Sequence, residues 1–455
     1  MTNTVGSVGV AGSSGDHGSS GRAVQGGRGG PSRVDTARPG EVWRDRLAAP
    51  HLALTLLLLV IGVVPWRPKA YFDGSGDPVV YAKAAVITAA LLLALAPRDP
   101  AVAPRRHPVA AMPLVLAALY LTVTCLGAFT SGGLVATGVV AARVALVVAT
   151  LTLLAGRYGP DHVAVWLYRI LLAVVLVSVG TGLGSLSSGR LHGGLPPLHA
   201  NEIALLAGLC LLWIWARFVR GEELARHYPI AGALLVVLLL TGSRTGLVAV
   251  VVAFLLVLTR LSRLSYSSLA LGLAAIPVLT YVILATDAAE STLARGGAEE
   301  VGTLSNRTIA WSAAIHGVNS AHGALLGSGL ATKKIPVPGQ WWNTQILDSS
   351  WVSAFVQAGL VGFAIVLLWF AVTLVAALRH RGPLAAVWIG WMTLLAVRGL
   401  LESGLFDATT SFIAFVVASL GCWRLRPDPD AGSAVEQPVP LDLRQPLDGV
   451  QPPAR

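Results

Sequence analysis

Three arginines and one aspartate are the residues of this sequence best suited to chemistry. Arg244 stands in Thr241-Gly242-Ser243-Arg244-Thr245-Gly246, between two apolar runs. Its guanidinium is a planar fork that fits phosphate oxygens, and serine and glycine around it make a donor-rich concavity. The alternative is an arginine that snorkels to lipid headgroups. Arg307, in Ser305-Asn306-Arg307, is either an anion ligand or part of the solvated face of a loop helix. Ser305 can cap that helix, and Arg307, Trp311 and Ile315 share one of its faces. Arg143 sits in the middle of an apolar run. A cation at that depth costs ~2.5–3.5 kcal/mol on insertion scales, so it is expected to face the interior of a helix bundle. There it would hold an anionic group or form a structural ion pair. Asp348 opens the polar edge Asp348-Ser349-Ser350-Trp351. It reads as a helix N-cap or as a catalytic base, and the two are compatible. His192, His199, Glu202, His316, His322, Glu402 and Asp407 are further acid–base candidates on the same side. Arg398 and Glu402, four apart, read as an internal pair.

These groups need elements to carry them, and the composition says which. Of 455 residues, 54% are hydrophobic and 12% charged. Apolar runs near or above ~18 residues recur, the mark of membrane-spanning helices. The expectation is an all-α polytopic membrane protein of about 12 transmembrane helices. They fall near 51–65, 79–96, 108–127, 134–155, 162–182, 200–217, 229–242, 245–261, 266–285, 350–378, 384–401 and 408–423. Residues 1–48 and 425–455 are expected to be disordered cytoplasmic tails, because they have too little apolar surface to offset the entropy of folding. Residues 49–286 hold nine spans, 287–348 one large external loop, and 349–424 three more spans. No apolar core precedes His51, so no cleavable signal peptide is expected.

The loops set the orientation. Arg98, Arg105, Arg106, Arg157, Arg217, Arg220, Arg226, Arg260, Arg263, Arg379 and Arg381 fall on one set of connections. Arg67, Lys69, Arg190, Arg244 and Arg398 fall on the other. Eleven against five places both termini in the cytoplasm and the long loop outside. The net charge of +10 follows from the same arginines and does not imply nucleic acid. In the loop, Gly317 and Gly323 bracket the end of the helix that Ser305 starts. Gly327-Ser328-Gly329 reads as a flexible turn, and Pro336 and Pro338 exclude a continuous helix. Cys125, Cys210 and Cys422 lie in apolar runs with no metal spacing and read as inert buried thiols. No phosphate loop, dinucleotide fingerprint or Cys/His constellation is present, so no cofactor and no metal are expected.

The order of these motifs resembles the O-antigen ligase and polymerase family over roughly residues 180–380. The resemblance is carried by Ser243-Arg244-Thr245-Gly246 opening a span, by Asn306-Arg307 with Trp311, and by Gly327-Ser328-Gly329. A polar-aromatic group leading into Ala358-Gly359-Leu360-Val361-Gly362 completes it. Pro197-Leu198-His199-Ala200-Asn201-Glu202-Ile203-Ala204 is similar to the family's His-Pro-Asn stretch, with Ala200 where proline is usual. The resemblance implies a membrane glycosyltransferase of polysaccharide biosynthesis. Such an enzyme moves a glycan from a polyprenyl diphosphate to a hydroxyl acceptor, a glycan or other cell-envelope group, on the outer face of the membrane. It implies that Arg244 and Arg307 hold the diphosphate, and that Asp348 stands where the ligases have a histidine. His199, Asn201, Trp311 and Arg143 complete the expected substrate site.

Such chemistry needs neither metal nor nucleotide if arginines neutralise the departing diphosphate. Trp341 and Trp342 would offer faces for sugar rings or anchor the loop at the interface. The rival class is a transporter or flippase of lipid-linked glycans. It would explain the spans and Arg143, but it usually shows related halves with interrupted helices, and no internal repeat is present. The topology is directly testable: reporter fusions at Gly297 and Pro338 are expected to score as external, and fusions at Arg220 and Arg381 as cytoplasmic. A cytoplasmic Gly297 would invert the assignment.

Overall fold

The computed structural model describes residues 39–67, 77–96, 107–221, 227–258, 307–317, 320–337 and 344–423. Side chains are described from residue 50 in the first stretch and from residue 309 in the fifth. The chain forms two units, Met1–Trp43 and Arg44–Arg455; all elements but the opening turns of the first helix belong to the second. The helices are α1 (Pro39–Val63), α2 (Pro78–Leu95), α3 (Met112–Thr130), α4 (Leu134–Tyr158), α5 (Pro160–Gly182), α6 (Ala200–Val219), α7 (Tyr228–Leu240) and α8 (Arg244–Leu258). After them come α9 (Arg307–His316), α10 (Ala321–Leu326), the strands β1 (Lys334–Pro336) and β2 (Thr344–Ile346), α11 (Ser350–Arg379), α12 (Ala385–Leu401) and α13 (Thr410–Cys422).

The protein is an all-α membrane protein. Among the described residues six helices are long and apolar enough to cross a bilayer, and five shorter apolar helices accompany them. The span expected at 266–285, Trp341 and Trp342, and residues 1–38 and 424–455 lie outside the described residues. Helix starts follow local chemistry. Asp77 accepts the Val79 N–H at 2.9 Å and Pro78 occupies the first helical position of α2, where its missing N–H costs nothing. Thr409 caps α13 by accepting from Phe412 at 3.3 Å.

The helices alternate in direction, and hydrogen bonds tie their ends into two layers. At one end His51 Nε2 meets the Leu93 carbonyl at 2.8 Å, Tyr158 Oη meets His51 Nδ1 at 3.0 Å, and Arg157 donates to the Ala96 and Leu95 carbonyls. At the other end Leu191 N–H donates to Leu240 O at 3.0 Å and Ser350 N–H to Glu402 O at 3.1 Å. The described parts of the loop between α8 and α11 join this second end, where Ser131 Oγ donates to Ser328 O. Between the ends, α12 is buried along nearly its whole length and packs on α6, α8, α11 and α13. Close crossing there uses small residues, as in other membrane bundles: Gly246 faces Ala204, and Gly390 faces Val257 and Leu212. Trp391 and Trp369 are buried but satisfied, through Leu209 O at 3.1 Å and Ser419 Oγ at 2.9 Å.

The loop docks through α11. That helix breaks at Gly359, which adopts φ 62° and ψ −167°. An unbroken helix would commit the Val356 and Gln357 carbonyls to residues four further on. Instead Val356 O accepts from Ser328 N–H at 2.9 Å and Gln357 O from Gly329 N–H at 2.8 Å. A Cβ on Gly359 would overlap the backbone of Leu325 and Leu326, and one on Gly327 would overlap Gln357 and Ala358. Gly327-Ser328-Gly329 is therefore a docked, hydrogen-bonded element where a flexible turn was expected. Gly323 lies within α10, and α9 already ends at Gly317.

Gly359→Ala puts a side chain at a left-handed φ, at roughly 1–2 kcal/mol, and adds the overlap. Its apparent Tm in detergent is expected to fall by several degrees. Gly180→Ala, whose Cβ meets nothing within 4 Å, is expected to match the parent or exceed it. Equal melting of Gly359→Ala and the parent would show that the break is dispensable.

Candidate active site

A cavity of about 280 Å³ opens among the helix ends on the loop side. Its walls come from the turn after α1, the first turns of α2 and α11, the α12–α13 link, and Tyr120, Arg143, Glu202 and Lys333. Seven charged side chains line it: Arg67, Asp77, Lys83, Arg143, Glu202, Lys333 and Asp407.

Two pairs account for four of these charges. Lys333 Nζ lies 2.6 Å from Asp407 Oδ2, and both side chains are about four-fifths buried. Arg67 and Asp77 approach to 3.9 Å at a more exposed spot. Lys333 is held there by its neighbours, since Gln357 Nε2 donates to Thr332 O at 2.9 Å and Leu347 N–H to Lys333 O at 3.1 Å. Asp407 also accepts the Ala408 N–H at 2.8 Å. Burial alone would raise the Asp407 carboxyl. The charge and hydrogen bond of Lys333, the charge of Arg143 and the Ala408 N–H outweigh it, and its pKa lies below the ordinary carboxylate value.

The remaining three charges, Lys83, Arg143 and Glu202, have no ion pair among the described residues. Arg143 is 8% exposed. Its Nη2 reaches Gly62 O only at 3.5 Å, and its Nε has no partner among the described residues. The Tyr120 hydroxyl, on a residue 1% exposed, and Glu202 Oε2 are likewise shielded and unpartnered. Buried polar groups are normally satisfied, and an uncompensated buried charge is costly. A chamber whose lining residues carry two unpaired cations, a hydroxyl and a carboxylate oxygen without partners is built to receive a polar, anionic ligand.

Beside the chamber, a second network ties down the start of α6. His199 is the N-cap, its Nδ1 accepting the Asn201 N–H at 3.4 Å. Burial first, then nearby His192, Arg190 and Arg398, pull its pKa below the ordinary imidazole range, so the ring is an acceptor rather than a cation. Asn201 Nδ2 donates to Glu402 Oε1 at 2.6 Å. Arg190 reaches Asn201 Oδ1 at 3.5 Å and Thr241 O at 3.0 Å. Buried Arg398 lies within electrostatic reach of both Glu402 and Glu202.

Of the residues expected to form the site, the chamber takes in Arg143. His199 and Asn201 flank it through Glu202. Arg244 is exposed at the start of α8, at the same end of the bundle but not in the chamber wall. Arg307 opens α9, and its side chain lies outside those described. That helix packs through Ala310 and Ala314 against Ile335, Val337, Leu347 and Val356; Trp311 is partly buried on it, its Nε1 without a partner among the described residues. Asp348 is partly buried next to the wall residue Leu347 but is not itself in the wall. The N-cap of α11 is Ser349, accepting from Val352 N–H at 3.4 Å, and not Asp348. Lys83, Lys333 and Tyr120 were not anticipated. Lys83 was findable, since a lysine inside an apolar span invites the argument already applied to Arg143.

Set against known families, residues 229–367 match the one described as O-antigen ligase, which bears out the resemblance over that stretch. No curated protein matches the chain. The matched stretch runs from α7 into α11. It takes in Arg244, Arg307, Lys333 and Gly359 and leaves out Lys83, Arg143, Glu202 and Asp407.

The Lys333–Asp407 pair makes a pH prediction. A carboxyl whose folded pKa is depressed contributes stability above its unfolded pKa of about 3.9 and loses it as pH falls through the folded value. Asp407→Asn is therefore expected to melt below the parent at pH 7, with the gap closing under acid. A gap that is constant with pH would show that the charge of Asp407 does not stabilise the fold.

Proposed function

We propose that this chain, which carries an O-antigen ligase domain over residues 229–367, transfers a glycan from a polyprenyl diphosphate to a hydroxyl acceptor at the outer face of the cell membrane. The observation that carries this reading is the chamber, where Lys83 and Arg143 have no ion pair among the described residues and stand beside a carboxylate. In glycan transfer from such a donor, the acceptor oxygen bonds to the anomeric carbon as the bond to the diphosphate oxygen breaks. Negative charge then grows on the diphosphate. Preorganised cations in a water-poor site stabilise that charge well, and Lys83 and Arg143 line the chamber where it would form. Arg244 and Arg307, on elements at the same end, would receive the diphosphate as it enters.

The lipid tail also has a berth. Between α3 and α4 an open apolar groove is lined by Leu121, Cys125, Leu126, Phe129, Leu134 and Ala141. The groove lies on the outer face of α3 and α4, where Ala142 and Ala145 are exposed, while Tyr120 and Arg143 of the same helices are buried toward the chamber. Termini in the cytoplasm put the chamber outside, where a translocated donor and a cell-envelope acceptor can meet.

The test is transfer by the purified protein in nanodiscs, given a polyprenyl-diphosphate oligosaccharide and a glycan acceptor. The parent is expected to form product. Lys83→Met and Arg143→Gln are each expected to lower kcat/KM by at least ~10-fold, since a lost charge-assisted contact is worth about 1.5–3 kcal/mol. Arg244→Lys and Arg307→Lys keep charge but lose the fork and are expected to impair transfer as well. Donor crossing the bilayer without transfer would make the protein a flippase.

A further inference from the structure

Transfer from a diphosphate requires that the acceptor hydroxyl lose a proton. Of the acid–base groups that the sequence offers on this side, Glu202 and Asp407 line the chamber. Asp407 is committed to Lys333 at 2.6 Å and to the Ala408 N–H. A carboxylate held that firmly is a poor proton acceptor, because protonation would forfeit its ion pair with Lys333. Asp77, the third carboxylate of the wall, caps α2 and faces Arg67.

Glu202 is placed differently. It is the third residue of α6 after the N-cap His199. That is the capping-box position, from which a carboxylate can reach back toward the N-cap. Oε2 is shielded and has no hydrogen-bond donor among the described residues. The residue lines the same cavity as Lys83 and Arg143. A carboxylate in the chamber wall, with an oxygen that lacks a donor among the described residues, is matched to a ligand hydroxyl.

We propose that Glu202 is the base that takes the proton of the acceptor hydroxyl; this rests on the transfer reading above. As the acceptor oxygen forms its bond to the anomeric carbon, the bond from that carbon to the diphosphate oxygen breaks. The electron pair leaves with the diphosphate toward Lys83 and Arg143, and the hydroxyl proton passes to the Glu202 carboxylate. Nothing is oxidised or reduced, and no further reactant is needed. The proton acceptor is then on α6 rather than at Asp348, which the structure leaves out of the wall.

A purely structural Glu202 would act as a cap and as a partner for Arg398. Glu202→Gln separates the roles, because glutamine serves at the third position of a capping box as glutamate does. In nanodiscs, with the full-length protein, Glu202→Gln is expected to lose about 10²–10⁴-fold in kcat, with KM for the polyprenyl-diphosphate oligosaccharide changed by less than about two-fold. Glu202→Asp, which keeps a carboxylate, is expected to retain more activity than Glu202→Gln. A glutamine variant within about five-fold of the parent in kcat, or one impaired in KM alone, overturns the proposal. If the glutamine variant does not accumulate, Glu202→Ala with and without added formate decides: at least ~10-fold stimulation supports a missing base, and none overturns it. A parent protein that forms no product overturns the base and the transfer reading together, whereas an active parent with an active glutamine variant overturns the base alone.

Discussion

The site depends on a helix that stops being a helix for one residue. At Gly359 the backbone of α11 turns to φ 62°, and the carbonyls of Val356 and Gln357 accept from Ser328 and Gly329. Buried backbone groups left unpaired are costly on both sides of such a junction. The break and the docked turn therefore stabilise each other, and neither makes sense alone. From that junction the chain continues through Thr332, held by Gln357, to Lys333, whose ammonium meets Asp407. A backbone irregularity in one apolar helix thus fixes a cation from a distant loop onto the link between two others. Irregular backbone at such depth is tolerated where it is buried in protein or lines a cavity, and here Gly359 is buried against the loop.

The chamber is then an electrostatic problem with a defined remainder. With Lys333 set against Asp407 and Arg67 against Asp77, two cations and one carboxylate of the wall have no ion pair among the described residues. Cations without an ion pair at the end of an apolar bundle are unfavourable unless something anionic visits. The second network, from Arg190 through Asn201 to Glu402, holds the start of α6 and with it Glu202. Positioning and charge are therefore supplied by different residues. Arg190, Asn201 and Gln357 make hydrogen bonds that fix backbone and side chains, while Lys83 and Arg143 keep donors uncommitted.

How much of this was legible follows from which signals are local. Long apolar runs announce helices whatever their neighbours, and the described helices lie close to the runs that were expected. Arg143 was legible because an arginine in an apolar run contradicts its surroundings. Lys83 carries the same contradiction but lies only a turn and a half into α2, where it passes for an interfacial lysine. Gly327-Ser328-Gly329 reads as flexible in isolation, since glycine signals permissive backbone without saying whether another backbone will occupy the space. Asp348 lost the cap to Ser349 because serine one residue on is equally competent, and the choice was made by where α11 packs. Which helix ends converge, and so which of many acid–base candidates share a cavity, is a tertiary fact with no local signal.

Depth gives the arrangement its sense. At ~1.5 Å per residue, Lys83 lies about 8 Å and Arg143 about 14 Å below the loop-side ends of their helices. Glu202 is within the first turn of α6, nearer the mouth. Of these three residues, the two cations lie deeper along their helices than the carboxylate does. A ligand with an apolar tail in the bilayer and a charged head would bring its charge to the deep side. A water-soluble hydroxyl compound, arriving through the mouth, would meet the carboxylate first. The two reactants of a glycan transfer differ in just this way. The polarity of the chamber along the bundle axis is therefore a stronger argument for that chemistry than any single residue in it.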